Sequence, residues 1–305
     1  MRTALFTVSF AGLWGQDRLT LEQSIDLAAD LGYQGVAIMG KRPHLSVLDY
    51  SVDDCRRLRD HADQRGLRVA AIAAYTDFTG GTGAAEVPFG EMQIAYVTEL
   101  ARRAPVLGCN LVRVFTSYEH EGAGFMAEWR ATVDALRACC DRAAEFGVQI
   151  GVQNHHDVGV DTKAYIELLA QVNRPNVTPM YDCWSPYLRG EDVMAGAAQL
   201  AARMQLTTVA DYVVLPRWKY VPQVVNYAPS EPPAVLAVPM GQGELPYDAF
   251  LRTLQAHGYD GWVTYEMCSP LRGGGSLDNL ENYARVFIDY MRSFDHMPAV
   301  QKECS

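Results

Sequence analysis

The most constraining feature of this sequence is a repeated passage from a helix-like stretch, through a glycine, into a short apolar run. A glycine after a helix favours the left-handed backbone conformation that ends the helix. The runs that follow are short and rich in Val and Ile, which is typical of strands buried on both faces of a parallel sheet. The five segments are "LGYQGVAIM" at 31, "RGLRVAAIA" at 65, "LGCNLVRVF" at 107, "FGVQIGVQN" at 146 and "HGYDGWVTY" at 257. This alternation predicts an α/β protein.

Eight strands are predicted, and each is followed by a plausible helix. They cover residues 4–10, 35–40, 68–74, 110–116, 148–154, 177–183, 205–211 and 261–267. Eight such units in 305 residues match the count of a closed (β/α)8 TIM barrel. A doubly wound open sheet is the alternative, but no GxGxxG motif follows the first strand. We therefore predict a single barrel over residues 1–296 and a C-terminal tail at 297–305.

Composition limits the partners and the compartment. Lys and Arg total 26 and Asp and Glu total 36, so the formal net charge is −10. This balance disfavours a nucleic-acid or anionic-membrane surface, and no apolar run approaches the length of a membrane span. The seven cysteines form no CxxC pair, which favours reduced thiols in the cytoplasm. The expected partner is a small molecule, rather than nucleic acid or a membrane.

Polar side chains follow three of the predicted strands. Strand five ends in "GVQNHH", strand six in "PMYDCWSP" and strand eight in "TYEMCSP". In a (β/α)8 barrel, functional groups gather at the carboxyl ends of the strands. With the repeated "GYQGV" and "GYDGW" and the segment "VPMGQGELPYDAF", these motifs resemble the xylose isomerase-like barrels. That superfamily of sugar isomerases and epimerases also includes endonuclease IV, and the resemblance spans nearly the whole chain.

The resemblance implies a divalent metal, often manganese, held by Glu, Asp, His and Glu on strands five to eight. The corresponding positions are Gln153, Asp182, Thr208 and Glu266. Only the Asp and the second Glu are retained, although Mn²⁺ and Mg²⁺ prefer oxygen ligands with charge. Two alternatives stay open. Either Asp182, Glu266 and the neutral carbonyl of Gln153 hold Mn or Mg weakly, or Gln153 and Asp182 hydrogen-bond each other and no metal binds.

The resemblance also implies two Glu side chains that exchange protons with carbons of a sugar. Glu266 is retained, but Gln153 replaces its partner and cannot act as a base. Period-two alternation along strand five points Gln153 and His155 into the barrel and Asn154 away, so His155 is the predicted base. His156 begins the next loop and is a second candidate. For both histidines the alternative is a structural or surface residue without a catalytic role.

Further side chains at the same end are predicted to bind substrate. Arg113 is a charge within an apolar strand, which is seldom without a role. Trp184 is suited to stack on the apolar face of a sugar, with simple packing as the alternative. The segment "SPLRGGGS" brings Arg272 and Gly274 to the start of the last helix. Such a segment favours a phosphate or carboxylate, and a flexible connection is the alternative.

Residues 212–246 are predicted to form a long loop between strand seven and its helix. A connection of this length in a compact domain is usually a lid or an interface. Arg217 and Lys219 would then reach the pocket of the same subunit or of a neighbour. Family members commonly form dimers or tetramers, so the resemblance also implies a homo-oligomer.

Together these features predict an isomerase or epimerase that moves a proton beside a carbonyl of a small carbohydrate or polyol, with or without a metal. A lyase or dehydratase acting on a keto-sugar, of the inosose dehydratase or C-glycoside-cleaving type, is the alternative. One base beside an electrophilic metal suffices for such an elimination. A noncatalytic sugar-binding barrel is the third hypothesis. The retained acids at 182 and 266 favour an enzyme.

Overall fold

The computed structural model describes residues 1–81 and 87–296. The tail predicted at 297–305 lies outside the described residues. Eight parallel strands form the centre of the molecule, with helices between them. The first seven are β1 to β7, and the eighth barrel strand is β10. Their bounds are Arg2–Phe6, Gly35–Met39, Arg68–Ala73, Leu111–Val114, Gln149–Gln153, Val177–Met180, Leu206–Val209 and Trp262–Tyr265.

The strands lie in the order β6-β5-β4-β3-β2-β1-β10-β7, so successive units are neighbours around a ring. Side chains bridge the remaining seam between β6 and β7. The Thr207 hydroxyl donates to the Tyr181 carbonyl at 2.9 Å, and the Thr178 hydroxyl donates to the Arg203 carbonyl. The ring is nearly closed, and the predicted (β/α)8 barrel is confirmed with all eight of its strands.

The helices begin and end where the local sequence requires it. Capping boxes join Thr20 to Gln23 at the start of α1 and Ser51 to Asp54 at the start of α2, as their spacing predicts. The glycine of each of the five repeated segments has a positive φ, between 68° and 87°. Helices α1 to α9 span Leu21–Leu31, Val52–Gln64, Phe89–Arg103, Phe125–Ala144, Thr162–Val172, Trp184–Leu188, Val193–Leu200, Tyr247–Ala256 and Leu277–His296.

The connection between β7 and α8 differs from the long loop predicted for residues 212–246. It contains an antiparallel hairpin of β8 (Asp211–Val221) and β9 (Asn226–Val238). Val, Leu, Tyr and Trp side chains favour its extended backbone. Its prolines resemble loop sequence, but each strand of a two-stranded sheet is an edge strand, where proline is tolerated. The base of the hairpin is buried and residues 215–220 are exposed, so the hairpin projects from the barrel.

The interior of the barrel is filled at one end. A cluster of buried side chains, drawn mostly from the first halves of the strands, consists of Ala4, Ala70, Ala71, Leu111, Met180, Leu206 and Trp262. The larger apolar core lies between the strands and the helices. Space inside the ring therefore remains at the carboxyl ends of the strands.

Two expectations from the sequence concern membrane-spanning helices and the state of the cysteines. Within residues 1–81 and 87–296, no helix combines the length and the apolar character needed to cross a membrane. All six cysteines in these residues have free thiols.

Candidate active site

A cavity of about 480 Å³ opens at the carboxyl ends of the barrel strands. Its walls are largely aromatic, with rings from Trp14, Tyr75, Phe89, Phe115, Tyr118, Trp184 and Tyr212. Its polar and titratable side chains include Lys41, Asp77, Gln153, His155, His156, Thr208 and Glu266. An enclosed apolar pocket with a few convergent polar groups is typical of a small-molecule site.

Gln153 ends β5 and links three of the positions that the sequence marked as ligand slots. Its Nε2 donates to Asp182 Oδ2 at 2.9 Å and to Thr208 Oγ1 at 3.1 Å. Its Oε1 is buried and has no hydrogen-bond partner among the described residues. The hydrogen bond between Gln153 and Asp182 that the sequence left open as an alternative is therefore present.

Asp182 lies behind Gln153 and is only 1% exposed. Its Oδ1 accepts from the Ser185 backbone N–H at 3.2 Å, which fixes the carboxyl group at the start of α6. Burial raises the pKa of Asp182 to about 7, the Gln153 amide opposes the rise, and the charge of Glu266 adds to it. At neutral pH this carboxyl group is therefore divided between its protonated and ionised forms.

Glu266 directly follows β10 and lines the cavity. Burial raises the pKa of Glu266, whereas the charge of Arg113 lowers it. The Cys268 thiol donates to Glu266 Oε1 at 3.6 Å. A carboxyl group with a raised pKa at the wall of a pocket is suited to take up and release a proton.

His155 and His156 lie together at the cavity wall, as the "NHH" motif predicts for His155. Phe115 meets both rings edge-on, with centroid distances of 5.0 Å and 4.3 Å. Burial is the main cause that lowers the pKa of both histidines, and the charge of Arg113 contributes, so that the pKa of His155 is about 3 and that of His156 about 4. Both imidazoles are therefore neutral at pH 7 and can accept a proton. His156 has a φ of 76°, a left-handed conformation that is uncommon for non-glycine residues.

Asn154 points away from the cavity, as the alternation along strand five predicts. It is fully buried, and its Oδ1 accepts from the Asp182 backbone N–H at 2.9 Å. Neighbouring residues at the end of β5 therefore have different roles. Gln153 and His155 face the cavity, and Asn154 holds the neighbouring strand end that carries Asp182.

Arg113 lies beneath the cavity wall and is 1% exposed. Its guanidinium carbon is 4.0 Å from the ring centroid of Phe115 and 4.9 Å from that of Tyr75. Nη1 donates to the Ala74 carbonyl at 3.1 Å, and Nη2 is buried without a partner among the described residues. In this conformation Arg113 acts on the cavity through its charge rather than through a cavity-lining surface.

Trp184, the first residue of α6, lines the cavity as a sugar-stacking residue would. Its ring lies 5.4 Å from that of His155 and 5.7 Å from that of Tyr212. Arg217 and Lys219 lie elsewhere, on the exposed part of β8. Arg217 Nη1 donates to the Pro232 carbonyl at 3.0 Å, so this arginine holds the two hairpin strands together.

Arg272 and Gly274 are exposed and lie outside the cavity lining. The Asn279 amide donates to both of their carbonyls, at 3.0 Å and 2.7 Å. The first N–H of α9, that of Leu277, donates to Asp17 Oδ2 at 2.8 Å. An acidic side chain therefore already occupies the helix terminus at which the sequence predicts an anion.

Lys41 also lines the cavity, near whose mouth its position after the second predicted strand places it. It follows β2, and its Nζ lies 3.9 Å from the ring centroid of Tyr75. Burial lowers the pKa of Lys41, and the charge of Arg113 lowers it further. The sequence feature that indicates its place at the cavity is its position just beyond a strand end, which it shares with His155 and Glu266.

The donor set fits a firmly held Mn²⁺ or Mg²⁺ poorly. The residues described contain no group of three or more His, Cys, Asp or Glu side chains arranged to hold a metal ion. Gln153 directs an N–H donor at Asp182, and Thr208 is neutral. Hard cations are bound tightly by converging anionic oxygens, and only Asp182 and Glu266 supply charge here.

The pH dependence of stability tests the state of Asp182. The folded-state pKa of about 7 exceeds the usual 3.8, so between these values the folded protein binds more protons than the unfolded chain. The Asp182 contribution to stability is therefore fully present below about pH 4 and falls as the pH rises to about 7. Replacing Asp182 by Asn keeps an acceptor for Gln153 and removes this fall, but it sets an NH2 group opposite the Ser185 N–H, which costs stability equally at both pH values. We expect the change in the free energy of unfolding to be more favourable at pH 8 than at pH 4.5 by an amount on the order of 2–4 kcal/mol.

Urea denaturation of wild type and variant at both pH values measures the difference. Wild type and variant must be compared at the same pH, because the lowered pKa values of His155 and His156 change stability with pH in the opposite direction to Asp182. Those histidines cost stability as the pH falls below their usual pKa of 6.5. An Asp182→Asn effect of equal size at both pH values would contradict a proton-binding role of the buried carboxyl group.

The fold and the cavity define a (β/α)8 barrel with a small-molecule site at the carboxyl ends of its strands. Residues 25–293 match the family described as "Xylose isomerase-like TIM barrel". The chain therefore belongs to that family, and the predicted resemblance is confirmed.

Relatives with assigned activities fall into two groups. The chain is 22% identical to fructoselysine 3-epimerase of Escherichia coli O157:H7 over 96% of this chain and 98% of that protein. It is 24% identical to inosose dehydratase of Lacticaseibacillus casei over 81% of this chain and 82% of that protein. A solved structure of the IOLI protein with a zinc atom matches with a TM-score of 0.73 at 18% identity. It covers 97% of this chain and all of the other.

Proposed function

We propose that this chain is an isomerase or epimerase that transfers a proton at a carbon beside the carbonyl of a small carbohydrate or polyol. The observation that carries the proposal is the convergence of Glu266 and a neutral His155 on one aromatic cavity. Both relatives with assigned activities bear names of reactions on sugars or polyols, one an epimerase and one a dehydratase. Membership of the same family supports the same type of proton transfer here.

In the proposed reaction, the neutral imidazole of His155 accepts the proton that leaves the carbon beside the carbonyl, and the protonated carboxyl group of Glu266 supplies a proton on the other side of that carbon; in the reverse direction Glu266 is the base and His155 the acid. Lys41 contributes positive charge at the same cavity, where it would stabilise the enolate oxygen that forms as the proton leaves. Trp184 would stack on the apolar face of the sugar ring. No step of this scheme is assigned to a metal, because the donor set present fits one poorly.

A dehydratase is the second candidate, and one observation favours it. The position of the second family carboxylate is taken by Gln153, whose N–H groups are directed at Asp182 and Thr208. Glu266 would then be the one carboxylate base, and a neighbouring acid would protonate a departing hydroxyl group. Elimination of water needs this division of roles, whereas epimerisation needs a base on each face of the carbon.

Incubation with a panel of keto-sugars and inososes in D2O distinguishes the two reactions. An epimerase is expected to return a stereoisomer that carries deuterium at the carbon beside the carbonyl. A dehydratase is expected to return a product that has lost water. Mass spectrometry and proton NMR of the products report both changes. Sugar binding by calorimetry without deuterium exchange or water loss from any bound compound would overturn the proposal and favour a noncatalytic binder.

We place this reaction in the cytoplasm. The free, mostly buried thiols of the described residues support a reducing compartment. The acidic net charge of −10 supports a small-molecule partner over nucleic acid.

A further inference from the structure

The large apolar side chains that are strongly exposed all lie at one end of the barrel. Among the described residues, each of them follows the carboxyl end of a barrel strand or lies on the hairpin. The hairpin group is Leu215, Trp218, Tyr220, Val224, Val225 and Tyr227. Trp218 is 63% exposed and Val225 is 78% exposed. Contiguous apolar surface of this kind marks an interaction site on a soluble protein.

A second apolar group lies on the segments that follow β1, β3 and β4, and we call it the rim. It consists of Trp14, Val87, Met92, Tyr118, Phe125 and Met126. Trp14 and Tyr118 also line the cavity itself, so the rim continues into the candidate active site. Trp14 is 69% exposed and Tyr118 is 43% exposed, so no residue within 1–81 and 87–296 covers these two rings in a single copy.

The hairpin and the rim have opposite charge. The exposed part of the hairpin carries Arg217 and Lys219 against Glu231. The rim carries the exposed carboxylates of Glu119, Glu121 and Asp157, within a chain whose net charge is −10. Opposite charges on two apolar surfaces favour their association and fix its orientation.

The exposed part of the hairpin does not line the cavity of its own chain. Its base is buried at Asp211 and Tyr212, where the Asp211 carboxylate accepts from Gly241 and Gly243 N–H groups at 2.9 Å and 2.8 Å. Paired backbone then extends from Asp211 to Val221. At about 3.3 Å per residue the turn lies roughly 30 Å from that base. Bringing the turn back over its own cavity would break this ladder.

We propose that two copies of this chain associate with each hairpin lying over the rim of the other copy, so that each cavity is covered in trans. A two-fold axis makes both contacts at once, because the hairpin and the rim are carried by every copy. Trp218 and Tyr220 then exclude water from the mouth, and Arg217 or Lys219 lies against the acidic rim. The cavity described above is completed only in the pair.

Photo-cross-linking tests this arrangement in the full chain without reference to catalysis. We would place p-benzoylphenylalanine at position 220, irradiate the protein and sequence the joined peptides by mass spectrometry. The expected product is a covalent dimer in which residue 220 is joined to the rim peptides around Tyr118–Met126 or Met92. The same label at Phe146, a core-packed position before β5, is the matched control and is expected to give no dimer. Cross-links from residue 220 only to outer helix faces would overturn the proposal.

Sedimentation equilibrium gives a second measurement. The triple variant Trp218→Ser, Tyr220→Ser and Val225→Ser is expected to weaken dimerisation by roughly a hundredfold, because buried Trp and Tyr residues dominate interface energies. Phe89 and the other cavity residues are left intact, and an unchanged thermal unfolding temperature of the monomer would show that the barrel still folds. A wild-type protein that stays monomeric at every concentration, or a triple variant that dimerises as tightly as wild type, would overturn the proposal.

Discussion

Replacing Glu266 by Gln is expected to reduce turnover of the substrate by about 10²–10⁴-fold, the range that general acid–base catalysis contributes. The amide keeps the size and one acceptor oxygen of the carboxyl group, so the cavity should retain its shape and its ligand. The loss is therefore expected in kcat, with KM within a few-fold of wild type. Steady-state kinetics on the compound identified by deuterium exchange measures both constants.

Two variants accompany this test. Glu167→Gln makes the same chemical change at an exposed position of α5, remote from the cavity, and is expected to leave turnover unchanged. His155→Ala removes the second proposed proton carrier and is expected to reduce turnover as well. If Glu266→Gln retains full activity, the base lies elsewhere; full activity in His155→Ala would remove only that histidine from the mechanism.

The double variant Gln153→Glu and Thr208→His is expected to raise Mn²⁺ affinity by roughly a hundredfold or more, because affinity for hard cations follows the charge of the ligands. Without metal, a third carboxylate beside Asp182 and Glu266 adds repulsion and should lower the unfolding temperature. Added Mn²⁺ should restore it, with about 2.7 kcal/mol gained at a metal concentration of 100 Kd. Native turnover is expected to fall, since a new anion raises the pKa of His155 and a cation fills the cavity floor.

Titration calorimetry and thermal unfolding with and without Mn²⁺ provide the measurements, and neither depends on activity. Each single substitution is a control. Gln153→Glu alone should give part of the gain in affinity, and Thr208→His alone should give little, since imidazole adds no charge. Unchanged Mn²⁺ affinity in the double variant would mean that positions 153 and 208 do not face a common metal position.

The barrel could be predicted from sequence because each strand is specified by local sequence features. A positive-φ glycine ends a helix, and a Val- or Ile-rich run fits a buried parallel strand, whatever the rest of the chain does. The strand-end residues Gln153, His155 and Glu266 followed from the same reasoning, because strand ends converge in a barrel. The Gln153–Asp182 hydrogen bond was one of two alternatives, but the second bond, to Thr208, could not be predicted, since it depends on the distance between β5 and β7.

Two features required the three-dimensional structure. The position of Lys41 beyond β2 indicates the cavity, but the contact of its Nζ with the ring of Tyr75, which belongs to a different unit of the barrel, does not follow from the sequence. Arg113 looked like a substrate contact in the sequence, yet the rings of Phe115 and Tyr75 enclose it. In both cases the position of a long side chain depends on packing across strands, which no local sequence pattern indicates.

The prolines of the hairpin have a protective effect in a concentrated solution. Pro216, Pro229, Pro232 and Pro233 lie within its two strands. Each lacks an N–H, so the outer edges of the hairpin present interrupted rows of donors and acceptors. A long, exposed strand pair rich in Trp, Tyr and Val would otherwise be a template for cross-β fibrils that grow without limit. The chain can therefore expose an apolar hairpin outside its barrel and still resist amyloid-like aggregation.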